Sequence, residues 1–197
     1  MNLNCEECTR RKKRERVVGP KVKSDGETVD VFILGEAPTE EGELQNLPIT
    51  GDALATIGML LKHLKIKSYV IDNCVRCKSG GKPTSKQIQA CRSNWMSQVK
   101  KYKPKVILAL GKHAAEAIVE RKVTMAKYAN LTSEVQVGRR KYPVVFTHAP
   151  NYVIKSERQK GGAYEKVKDS WDNSWVTVSD VMENGLTPLP KTTSIDN

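Results

Sequence analysis

Five cysteines in a 197-residue chain fall as Cys5-x-x-Cys8, Cys74-x-x-Cys77 and a further Cys91. One close thiol pair alone could be a redox couple. Thiolates drawn from widely separated segments point instead to a shared soft cation, either zinc or an iron–sulfur cluster. A disulfide framework is disfavoured, because the opening run MNLNCEECTRRKKRERVV has no apolar stretch of the signal-peptide kind. Reduced thiols in the cytoplasm of a bacterial or archaeal cell, or of a virus's host, are therefore expected, with no secretion. Spacing alone favours Cys5, Cys8, Cys74 and Cys77, two matching knuckles that make a good zinc pattern. Cys91 also has a plain structural role open to it, as a small buried hydrophobe.

Charge adds a partner class. Thirty-three Lys and Arg against 22 Asp and Glu give a net charge of +11, and such an excess favours a polyanion through phosphate neutralisation and counterion release. The basic residues are unevenly spread, with Arg10, Arg11, Lys12, Lys13, Arg14 and Arg16 after the first thiol pair and Lys100, Lys101, Lys103 and Lys105 further on. No apolar stretch reaches the roughly 18 residues of a membrane span, so a soluble protein without a membrane partner is expected.

The elements that must position any site follow from periodicity. Val29 to Leu34 is an apolar run of strand length that ends in Gly35-Glu36-Ala37-Pro38. A loop rich in acids precedes a helix from Gly51 to Leu64, where Leu54, Ile57, Leu60, Leu61 and Leu64 recur at helical spacing. Ser68 to Asp72 reads as a second strand, and Thr84-Ser85 caps a helix that runs to about Tyr102, with Ile88, Cys91, Trp95 and Val99 on one face. Lys105 to Leu110 is a buried strand turned by Gly111 into a helix over His113 to Glu120. Glu134 to Val137 and Tyr142 to Thr147 read as strands about a Gly138-Arg139-Arg140 turn, and Ala163 to Met182 as the last helix. Apolar strands alternating with amphipathic helices predict an α/β fold, a three-layer α/β/α sandwich on a central, mainly parallel four-stranded sheet. One domain over residues 1–183 with a flexible tail over 184–197 is expected, working as a monomer. Ligands of such sheets bind at the C-terminal ends of strands. That places a pocket among the loops beginning at Gly35, at Asp72-Asn73 and at His148.

Four segments then carry a resemblance. GEAPTEEGELQNLPITG, YVIDNCVRC, KPKVILALGKHAAEAI and FTHAP stand in the order and approximate spacing of the family-four, iron–sulfur uracil-DNA glycosylases, over about Asn4 to Tyr152. The resemblance implies a uracil-DNA glycosylase-like sandwich that flips a base out of DNA and hydrolyses its glycosidic bond. It also implies a structural [4Fe–4S] cluster on Cys5, Cys8, Cys77 and Cys91, with zinc the alternative metal and Cys74 in a position that is usually apolar. The substrate would be DNA containing uracil or a related modified pyrimidine, single- or double-stranded.

Breaking an N-glycosidic bond leaves an oxocarbenium-like sugar and an anionic base, which call for a donor at the base oxygen and a carboxylate or oriented water near the sugar. On this reading His148, Asn73 and Glu36 are the catalytic candidates: donor to the departing oxygen, reader of the base edge, and holder of water. Gly35, Ala37 and Pro38 would shape the turn, and Ile49 and Tyr152 would touch the base or wedge into the duplex, with Ile154 an alternative wedge. Lys155, Arg158 and Lys160, in a loop after the second motif, would contact DNA. The chain departs from the family at Thr39 (usually Gly), Gly42 (commonly acidic), Ile49 (an aromatic that stacks on uracil) and Ala149 (a proline). Loss of the stacking face removes roughly 1–3 kcal/mol. These departures bear on the base accepted more than on the fold, and they keep open a repurposed DNA- or partner-binding protein on the same scaffold. A zinc-knuckle nucleic-acid module is the third possibility.

Overall fold

The computed structural model describes residues 5, 8–10, 15–78, 81–159 and 162–186. Its centre is a six-stranded sheet in the order β1-β3-β2-β4-β6-β5. The four inner strands are β3 (Tyr69–Asn73), β2 (Val31–Gly35), β4 (Val106–Leu110) and β6 (Arg140–Thr147), all parallel. These are four of the five strands read from the sequence; the fifth, Glu134 to Val137, also joins the sheet, which is wider than the four strands expected. Two antiparallel strands widen the sheet: β1 (Lys21–Lys23) along β3, and β5 (Thr132–Val137) along β6. The short β1, with the sequence KVK, carries too few apolar residues to be read as a strand without its neighbour.

Alternation along each inner strand feeds two cores, because successive side chains of a strand point to opposite faces. Phe32, Leu34, Ile107 and Ala109 face one side. There they pack with Ile88, Cys91, Trp95 and Val99 of α3 (Ser85–Tyr102) and Ala114, Ala115 and Ile118 of α4 (Gly111–Val119). Val31, Ile33, Val106 and Leu108 face the other side, against Ile57 and Leu61 of α2 (Gly51–His63), Val153 of α6 (Pro150–Gln159) and Trp171, Trp175 and Val178 of α7 (Gly162–Asn184). Helices on both faces of a parallel sheet complete the three layers, with a four-residue helix α5 (Met125–Tyr128) after α4 packed on the first of these cores. Thr84 caps α3 with a full capping box, its hydroxyl accepting from Gln87 N while the Gln87 side chain returns to Thr84 N.

Two segments differ from expectation. The acid-rich stretch after Pro38 holds a short helix α1 (Glu40–Gln45) that Thr39 caps by accepting from Gly42 N at 3.1 Å. Thr39 has φ −76°, so the glycine usual at this place is not required here for backbone freedom. The Lys155 and Arg158 segment is helix α6 rather than a loop, opened by Pro150, whose missing N–H costs nothing in the first turn. α7 runs on to Asn184, and Leu186 packs against the core, so the chain is ordered slightly past the expected boundary of the tail. Residues 187–197 lie outside the described residues. Among the described residues no helix is long and apolar enough to cross a membrane.

Candidate active site

All four inner strands run in one direction, so their C-terminal ends deliver Gly35-Glu36, Asn73, Gly111 and His148 to the same edge of the sheet. A cavity of about 740 Å³ opens there, lined among others by Glu36, Lys82, His113, His148, Ala149 and Tyr152. Gly111 has φ +79°, and a Cβ on it would sit 2.8 Å from the Ala149 Cβ. Glycine is therefore what lets the loops after β4 and β6 close on each other. Ala149, where the family's proline was expected, supplies that contact, and its carbonyl accepts from Tyr152 N at 2.9 Å and Val153 N at 3.2 Å to start α6.

Glu36 presents its carboxylate at one wall. His113 Nδ1 lies 2.7 Å from Glu36 Oε2, and this hydrogen bond is the chief cause that lowers the Glu36 pKa below its ordinary value, against the opposing effect of burial. Lys82 and Arg10 add smaller pulls in the same direction. His148 lies on the cavity's other side of chemistry: burial lowers its pKa, which favours the neutral imidazole. Its ring is 5.4 Å from that of Tyr152 at a 35° tilt, and Tyr152 is 53% exposed. Tyr152 thus stands at the cavity mouth on the first turn of α6, with Lys155 and Arg158 following along that helix. Arg158 reaches Asp52 at 3.5 Å across to α2, in a fully solvated pair of little energetic weight. Ile154 lines the neighbouring groove with Asp52 and Lys155 rather than the cavity. Lys160 lies outside the described residues.

Asn73 belongs to a second, adjoining cluster. It pairs with Gly35 across β2 and β3, and a Cβ on Gly35 would run into Asn73 Oδ1 and come within 3.3 Å of Ile49 Cδ1. Asn73 Nδ2 donates to Pro48 O at 2.6 Å, while its Oδ1 is buried with no hydrogen-bond partner. An orphaned buried acceptor is costly unless something supplies a donor. The strand-end is held from behind by a buried pair: Arg76 donates to both oxygens of Asp72, at 3.0 and 2.5 Å, and Asp72 Oδ1 accepts from Asn73 N at 2.8 Å. Ala37 and Pro38 shape the turn without lining the cavity: Pro38 is buried, and Ala37 packs on the core. Gly42 has its own constraint, since a Cβ there would lie 2.7 Å from Leu47 O. An acidic residue at this position would force that turn apart.

The thiols separate into two kinds. Burial is the larger cause that raises the Cys91 pKa, and Cys8 and Cys77 lie near enough that a thiolate on either would add to it; Cys74 is within the same electrostatic reach of Cys91. Cys8 N donates to Cys5 O at 3.4 Å, so the N-terminal pair forms one turn. Cys74 is different. It is wholly buried, and its Sγ donates to Glu36 O at 3.1 Å, which makes it a brace of the Glu36 turn. Arg10, grouped by sequence with the solvent-facing basic run, is instead 2% exposed. Its guanidinium donates to Cys77 O, Gly81 O and Gln87 Oε1, each at 2.8 Å. The second basic run sits at the opposite end of the sheet, where Lys105 pairs with Asp30 at 2.8 Å and Lys103 with Glu27 at 3.3 Å. Among the described residues no group of three or more His, Cys, Asp or Glu side chains is arranged to hold a metal ion.

Sequence reasoning missed His113. The rule that named the other three loops also covers the end of β4, and a histidine two residues past Gly111 was the available signal.

Comparison with known proteins points the same way. Residues 23–171 match the family described as the uracil DNA glycosylase superfamily. The chain is 26% identical over 165 residues to a type-4 uracil-DNA glycosylase of Archaeoglobus fulgidus, covering 77% of this chain and 79% of that protein. It is 30% identical over 122 residues to one from Pyrobaculum aerophilum, covering 59% and 60%, and 29% identical over 135 residues to one from Thermotoga maritima, covering 64% and 67%.

Proposed function

The chain belongs to the uracil DNA glycosylase superfamily, and we propose that it is a DNA glycosylase that takes uracil or a related modified pyrimidine, flipped out of the strand, and hydrolyses its N-glycosidic bond. The observation that carries this reading is the cavity at the C-terminal strand ends, with an ionised Glu36 and a neutral His148 both lining it. As the C1′–N1 bond breaks, the electron pair leaves with the base. A neutral His148 N–H can hydrogen-bond the base oxygen where that charge collects. The Glu36 carboxylate can orient a water toward C1′ of the oxocarbenium-like sugar and take up its proton. Asn73 Oδ1, an acceptor without a donor, suits the imide N–H of uracil and disfavours the bare ring nitrogen of cytosine. Tyr152 offers an aromatic face at the mouth, and Lys155, Arg158 and Lys160 are assigned to the DNA backbone. Extrusion of a base costs a few kcal/mol, which such contacts offset.

The test is release of base from uracil-containing single- and double-stranded oligonucleotides. His148→Ala and Asn73→Ala should each cut release by about 10²-fold or more while leaving DNA affinity nearly intact. No release by the unaltered protein from any uracil substrate would overturn the assignment. One observation favours a repurposed binding protein as the second reading. Asn73 does not line the cavity, and its amide donor is committed to Pro48. Salt-sensitive DNA binding with no base release over a panel of modified bases would select that reading.

A [4Fe–4S] cluster on Cys5, Cys8, Cys77 and Cys91 is part of the proposal, with zinc the alternative. What fits it is chemistry: a donor set of thiols alone, and a buried guanidinium, Arg10, among them with no carboxylate in a salt bridge among the described residues. A buried cation of this kind asks for a negative neighbour, and a thiolate-ligated cluster is one. Its contribution is to brace the N-terminal turn against the segment after β3; the chemistry of bond cleavage stays with the side chains at the cavity. Thiolate ligation suits a reducing cytoplasm. The protein is proposed to act as a monomer.

A further inference from the structure

Within the glycosylase reading, the geometry points to His113 as the positioning residue that aims the Glu36 carboxylate at the cavity. The two side chains come from different strand ends. Glu36 follows β2, while His113 stands in the first turn of α4, after Gly111 has reversed the chain at the end of β4. Their side chains are exposed very unequally, 43% for Glu36 and 9% for His113. The carboxylate therefore fronts the cavity, and the imidazole backs it at 2.7 Å.

Among the described residues His113 is the one side chain hydrogen-bonded to the Glu36 carboxylate. The other charged or titratable groups about Glu36 are Lys82 from the loop before α3, Arg10 from the N-terminal turn and the Cys74 thiol after β3, with Lys112 of α4, His148 and Lys166 of α7 lining the same cavity. None of them fixes the carboxylate's direction. A donor at Nδ1 does, whether the ring is neutral with its proton on Nδ1 or doubly protonated, because one carboxylate oxygen is then tied and the other is left to the water. Removing that donor frees the side chain to rotate and takes away the main influence that keeps it ionised in mild acid.

The experiment compares His113→Asn, whose amide N–H takes the place of Nδ1–H, with His113→Gln, whose amide reaches too far, and with His113→Phe. Two readouts are taken across pH: single-turnover uracil release, and the ¹³C shift of the Glu36 carboxyl, identified by its loss in Glu36→Gln. Phe and Gln should move both the acidic limb of the rate and the carboxyl midpoint to higher pH, so that release falls further below that of the unaltered protein in acid than at neutral pH. Asn should restore most of the original profile. A uniform loss of rate at every pH, an unmoved carboxyl midpoint, or identical behaviour of Asn and Gln would each overturn the assignment. Failure of the unaltered protein to release any base would sink the glycosylase reading, while the carboxyl titration would still decide whether His113 governs Glu36.

Discussion

Cys74 and Cys91 are both buried, yet their sulfurs meet different surroundings. Cys74 donates to the Glu36 carbonyl, and Cys91 faces the charge of Cys8 and Cys77. Cys91→Ser is accordingly expected to abolish iron retention, whereas Cys74→Ala should keep the iron and loosen the Glu36 turn, read as full metal content with reduced turnover. Iron loss in Cys74→Ala would return the ligand set to the paired-knuckle spacing. Gly35 makes a sharper case. Because its Cβ would meet Asn73 Oδ1, Gly35→Ala should push aside the amide proposed to read the base, lowering uracil release at least about tenfold for a stability loss of about 1–3 kcal/mol. The sign of the pH dependence follows from Glu36. Its folded-state pKa lies below the unfolded value, so the stability it contributes is present above the unfolded pKa and fades as pH falls through the folded one. Thermal melts of Glu36→Gln should therefore show a weaker loss of stability on acidification than the unaltered protein.

At the scale of elements, the end of β3 is held by one buried ion pair. Arg76, of which 12% of the side chain is exposed, spans both oxygens of the fully buried Asp72. Arg76→Met would leave a buried carboxylate without its cation, at a cost of about 3–5 kcal/mol in chemical denaturation. The double change Asp72→Asn with Arg76→Met should recover much of that loss. The joints were readable because periodicity switches there: the capped start of α3 falls where expected, and Gly111 itself opens α4, two residues before the expected start. β1 and α1 were not, since a three-residue strand and a six-residue helix depend on neighbours and a cap rather than on a hydrophobic pattern. The helical state of 150–159 was hidden for a similar reason, because only Pro150 and Val153 of that helix are buried.

Across the whole molecule, the charge excess of +11 is divided by the fold. Lys103 and Lys105 lie at the end of the sheet away from the cavity and pair with acids, so the residues assigned to DNA are those that follow the cavity along α6. Lys155→Ala and Arg158→Ala should each flatten the dependence of log affinity on log salt by about one, with the rate of base release from saturated complex almost unchanged. Arg10→Met should leave that slope as it is and weaken metal retention instead, because this guanidinium is turned inward on Cys77, Gly81 and Gln87.

Local pattern was enough for the thiol spacing, the alternation of strand and helix, and three of the four loops at the strand ends, because each is written within a short stretch of chain. The pairing of His113 with Glu36 depended on which strands lie side by side, and the withdrawal of Arg10 from solvent on how the N-terminal turn docks on the segment after β3. Adjacency in the order β3-β2-β4-β6 brings Glu36 and His113 together across 77 positions of chain, and hydrophobic periodicity carries no information about that order.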